Sequence, residues 1–121
     1  MSTIKVDNLQ TTGGAGLYPA RAWVNFNGTG TVAIRDSGNV SSITDRTTGK
    51  YRVNVSNAFS NANFANVLEG GQNLAANYQA QYNSSIGEDA VPTTTTAEAQ
   101  GGNSINAVFI DPVYMNVLLI S

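Results

Sequence analysis

Carboxylates are the groups in this chain best placed to do chemistry, because little else is. The sequence holds no cysteine and no histidine, which removes thiol nucleophiles, imidazole bases and the common zinc ligand sets. Asp36 and Asp45 bracket a turn and a strand, and as a pair they could share acid–base work. Asp at the start of a turn is routine, however, because its carboxylate bonds the backbone two residues on. Glu88 and Asp89 are adjacent and could hold a hard cation with help from loop carbonyls. A solvated acidic loop is the simpler reading, since the D-x-D-x-D-G spacing of a calcium loop is absent. Glycan hydrolysis needs two carboxyl groups facing each other across a groove, which neighbours in one loop do not provide. The expectation is a non-enzymatic protein with no cofactor and no metal.

Other motifs resolve in the same direction. Gly13-Gly14-Ala15-Gly16 has the glycine density of a phosphate-binding loop, but no Lys-Ser/Thr follows and no helix begins there. It reads as a structural joint. Asn27-Gly28-Thr29, Asn39-Val40-Ser41 and Asn83-Ser84-Ser85 match the glycosylation pattern and, with no secretory signal, are more simply turn chemistry. Trp23 alternates onto one face with Arg21 and Asn25. It is either a platform on which a sugar or partner stacks, or a residue packed under a neighbouring subunit. Aromatics set among polar residues are enriched at interfaces, so subunit contact ranks first.

These side chains need a scaffold, and Ala20–Val55 defines it. Ala20, Ala22, Val24 and Phe26 alternate with Arg21, Trp23 and Asn25, the period of a two-faced strand. Asn27–Gly30 is a turn, Val32–Arg35 a second strand, Asp36–Asn39 a turn and Val40–Thr44 a third strand. Asp45–Lys50 is a longer loop with Gly49 suited to the left-handed region, and Tyr51–Val55 alternates again. The segment is expected to be an antiparallel meander. Ser56–Gly71 reads as a bend leading into a strand at Phe64–Leu68. Asn73–Asn83 fits a helix face or a strand, and in a chain of this composition the strand is preferred. Ser84–Gly102 reads as an exposed loop or edge ribbon. The C-terminal stretch divides at Asp111-Pro112 and ends in VYMNVLLIS, apolar on both faces, hence central or covered by another chain.

At 121 residues the chain is sized for one domain, typically ~100–150 residues. We divide it into an N-terminal arm with a glycine joint (1–16) and a β-domain (17–121). The fold expected is all-β, an antiparallel sandwich built from the meander and the C-terminal strands. The arm carries Ile4, Val6 and Leu9 and is read as an attachment or oligomerisation element, with an ordinary edge strand as the alternative. Together with Trp23, Tyr114, Met115, Val117 and Leu119 it forms the expected partner interface. Only 12% of residues are charged and the net charge is −2, which leaves no basic footprint for nucleic acid. No signal-peptide core and no apolar run near ~20 residues occurs, so neither export nor membrane insertion is expected.

The segment Ala20–Asp45, ARAWVNFNGTGTVAIRDSGNVSSITD, resembles a module of virion proteins of tailed bacteriophages, notably cyanophages, found in tail-fibre-like proteins and small head-surface proteins. The opening STIKVDNLQTTGGAG and the ending DPVYMNVLLIS are similar to the ends of such proteins. The likeness is strong over residues 1–55, weak over 56–103 and moderate at the C-terminus. It implies a structural protein of the virion, made in the host cytoplasm and self-associating, with trimers the family expectation. Its partner would be the major capsid protein or another virion protein. A capsid decoration or knob protein is the first reading implied. A tail-fibre or fibre-tip component recognising host-surface glycan is the second, with Tyr78, Tyr82, Glu88 and Asp89 in the divergent part as surface-recognition candidates.

Overall fold

A computed structural model describes residues 2–71, 78–81, 91–103 and 108–121. Alternation dictates the elements: Ala22, Val24 and Phe26 are buried while the alternating Arg21 and Trp23 are exposed, the two faces of a pleated strand. The strands run β1 (Ala20–Asn27), β2 (Ala33–Gly38), β3 (Val40–Thr47), β4 (Lys50–Val55), β5 (Ala65–Gly71), β6 (Tyr78–Gln81), β7 (Thr96–Asn103), β8 (Val108–Phe109) and β9 (Tyr114–Ile120). They form two antiparallel sheets, ordered β2-β1-β9-β5 and β3-β4-β7-β6, with β8 pairing the end of β7. The protein is an all-β sandwich. Its core joins Ala22, Val24 and Phe26 of β1 and Met115, Val117 and Leu119 of β9 to Tyr51, Val53 and Val55 of β4 and Ala97 and Ala99 of β7. Phe26 and Tyr51 meet edge to face across it, with ring centroids 5.1 Å apart, the arrangement that suits two ring quadrupoles.

The meander is corrected in one respect. Its hairpins β1–β2 and β3–β4 form, but β2 and β3 lie in different sheets. The expected turn at Asp36–Asn39 contracts to Asn39, which sits at φ 57°; Asp36–Gly38 belong to β2. Asn39 Nδ2 donates to the carbonyls of Arg21 (3.0 Å) and Asn57 (3.2 Å), and its Oδ1 accepts from the Asn57 amide (2.8 Å). A residue type that tolerates the left-handed region and carries both donor and acceptor ties β1 to the segment after β4. That is how the chain changes sheets.

Ser84–Gly102, expected as an exposed loop or an edge ribbon, contains instead most of a strand inside a sheet. Thr96–Asn103 is β7, flanked by β4 and β6, and Glu98 is buried there rather than solvated. Arg52 lies opposite Glu98 in the register and donates to it at 2.6 Å, and Arg46 reaches it at 3.3 Å. A carboxylate enters a strand centre when cations meet it there.

The other end of the sandwich is closed by a buried polar knot. The Tyr51 hydroxyl lies 2.7 Å from Asp111 Oδ1 and 3.1 Å from the Gly28 carbonyl, and the Gly49 amide donates to the same carboxylate oxygen at 2.6 Å. Gly49 has the positive φ expected of it, 70°, and an added Cβ there would strike the backbone of Gly101 and Ile110. Glycine is the residue that meets both demands.

At the end of the arm the glycine-rich segment closes into a small turn-and-bridge unit. Gln10 and Gly16 form an antiparallel bridge, and the Leu17 amide donates to the Leu9 carbonyl at 3.0 Å around the turn Thr11–Gly14. Residues 2–19 are all exposed, so the sandwich itself begins at Ala20, where β1 pairs with Ile120.

Candidate functional site

Directly opposed residues of antiparallel strands share a face, so the registers of the first sheet assemble rows across it. Trp23 stands opposite Gly38 on one side and Leu118 on the other, and Leu118 stands opposite Val67. The next row is Asp36–Asn25–Asn116–Glu69. Intervening Val24 and Val117 are buried, so both rows point away from the core. An apolar row thus lies beside a polar one that reads carboxylate, amide, amide, carboxylate. The strand rise puts the rows about 6.7 Å apart.

Side-chain bonds hold this face in place. Asn25 Nδ2 donates to Asn116 Oδ1. The β1–β2 register shifts between Asn25 and Phe26, leaving Arg35 as the extra residue on β2. A bulge re-aims its side chain: the Arg35 guanidinium carbon sits 4.3 Å from the Tyr114 ring centroid, with Nη2 donating to the Val113 carbonyl at 2.7 Å and Nη1 to Asn25 Oδ1 at 3.5 Å. Trp23 rests its five-membered ring over Gly38, where an added Cβ would collide with Nε1 and Cδ1. Its indole remains 40% exposed. Trp23, Asn25, Val67, Glu69, Asn116 and Leu118 line a groove of about 310 Å³, at the low end of small-ligand pockets (roughly 300–1,000 Å³).

The expected interface residues divide. Ile4, Val6, Leu9, Trp23 and Tyr114 are exposed. Met115, Val117 and Leu119 are corrected: they are fully covered by the chain's own second sheet, because β9 is a central strand whose inner face is core. Tyr78 lies in β6, and Tyr82, Glu88 and Asp89 lie outside the described residues. Val67, Glu69 and Arg35 were not singled out by sequence. β5 and β9 meet through a register spanning about half the chain, and no local pattern encodes it. Among the described residues, no three acidic side chains converge as a metal site would require.

No protein-family model, curated protein or solved structure matches the chain.

Proposed function

We propose that the chain is a non-enzymatic structural protein of a tailed-bacteriophage particle, a decoration or knob protein on the head surface. The observation that carries this reading is the arm. Ile4, Val6, Leu9, Leu17 and Tyr18 are all large, apolar or aromatic, and exposed, ahead of a sandwich with a complete core of its own. Apolar side chains that the parent domain leaves uncovered mark an attachment surface. Ile4 and Val6 alternate with Lys5 and Asp7, a pattern able to add a strand to a partner's sheet edge. The partner proposed is the shell, either the major capsid protein or another virion protein. The resemblance over residues 1–55 supports the same assignment.

The test uses the phage that encodes the chain. Quantitative mass spectrometry of purified particles should find the protein in many copies, a multiple of the symmetry-related units of the shell. Added chain should rebind stripped particles, and chain lacking residues 1–16 should not. A few copies per particle would assign it to a fibre tip instead. Absence from the particle would overturn the reading.

A further inference from the structure

We infer that the outer face of the β2-β1-β9-β5 sheet binds a neutral glycan, with one pyranose ring stacked on Trp23 and hydroxyls held by Asn116 and Glu69. The inference is independent of where the chain sits in a particle, since it rests on the groove alone.

The two rows match the two aspects of a sugar. A pyranose presents an apolar C–H face and a rim of hydroxyls that both donate and accept. The row Trp23–Leu118–Val67 offers the apolar floor, and the neighbouring row offers carboxamides, which donate and accept, and carboxylates, which accept only. Their spacing is comparable to the width of one sugar ring with its hydroxyls. Trp23 is already seated over Gly38, so little side-chain freedom is lost when a ring stacks on it. Asn25 is committed to Asn116 and Arg35, which orients the Asn116 amide. Among the described residues the Glu69 carboxylate has no hydrogen-bond partner, and it lines the groove.

Charge selects the class of sugar. Carboxylates stand at both ends of the polar row. The described cations of this face are engaged: Arg35 with Tyr114, Val113 and Asn25, and Arg21 with Ser121 Oγ at 3.4 Å. Both guanidiniums bond neutral groups and keep their charge, so the face is balanced overall and offers an anionic glycan no net attraction, while Glu69, the carboxylate that lines the groove, repels it at the site itself. A second copy docked face to face is also disfavoured. A two-fold axis between Asn25 and Asn116 would lay Asp36 against the Glu69 of the other copy, like charge on like.

The chain contains one tryptophan, so its emission reports the groove directly. Lactose, maltose, chitobiose and mannobiose, all neutral, would be titrated against the full chain, with sialyllactose as the anionic control. At least one neutral disaccharide should give a saturable emission change, with sialyllactose weaker. Glu69→Gln and Asn116→Ala, each checked for an unchanged melting curve, should weaken it by about tenfold, the loss of one good polar contact. The inference fails if no neutral disaccharide in the panel changes the emission, or if both variants bind as the parent does. It also fails if sialyllactose binds as tightly. An emission change that follows protein concentration without sugar would mean that a second copy occupies the groove, and would overturn it too.

Discussion

Tyr51 joins the core to the polar knot at the end of the sandwich. Its ring packs against Phe26 and its hydroxyl bonds Asp111 and the Gly28 carbonyl. Burial pushes its phenol far above the usual range, helped by the hydrogen bond and charge of Asp111 and by the charge of Asp45. Tyr51→Phe keeps the ring but removes the donor to the Gly28 carbonyl and to Asp111, which keeps the Gly49 amide, so chemical denaturation should show a loss of ~1–3 kcal/mol. The pH dependence follows from the sign. The folded chain holds the proton more tightly than the unfolded one, so this contribution is complete below the unfolded phenol value of about 10 and is lost as pH rises above it. The parent should therefore lose stability more steeply above that pH than Tyr51→Phe, and equal slopes would refute the assignment. Gly49 was legible as a left-handed turn residue because its loop is local. Glu98 was not legible as buried, since the fact that matters, Arg52 opposite it, is a register between strands far apart in sequence.

Among the elements, the joint at Asn39 decides that there are two sheets rather than one. Asn39→Ala should lose the side-chain bonds and strain the backbone together, ~2–4 kcal/mol by thermal or urea unfolding. Asn39→Gly relieves the strain but not the lost bonds, and should fall between. If glycine restores full stability, the carboxamide has no part in the joint. Gly38→Ala should displace the indole from its seat and shift tryptophan emission, with a much smaller effect on the core. Each hairpin was readable from alternation and turn residues. The change of sheet was not, because a tight turn between two strand-like segments looks the same whether the strands then pair or separate. β7 escaped for a related reason: Ala97 and Ala99 make a faint apolar face, and their burial comes from the other sheet packed over it.

In the whole molecule, the arm lies outside the core of the sandwich. Removing residues 1–16 should leave the unfolding free energy within the range of neutral surface changes, about ±0.5 kcal/mol, because no core residue lies before Ala22. Light scattering on the same truncated chain would show whether self-association, if present, resides in the sandwich. A large loss of stability on truncation would mean that the arm belongs to the fold.

The position of β9 also sets the order in which this protein can be completed during translation. β9 lies between β1 and β5, yet it is synthesised after both of them, several seconds after β1 at about 5–20 residues per second. The β3–β4 hairpin can close early from local contacts. The first sheet exists until then only as the β1–β2 hairpin and a separate β5, each with an open edge of unpaired amides and carbonyls. Nascent chains stalled before Tyr114 are therefore the ones that should stick to one another, and the emergence of β9 is the step that makes the fold safe.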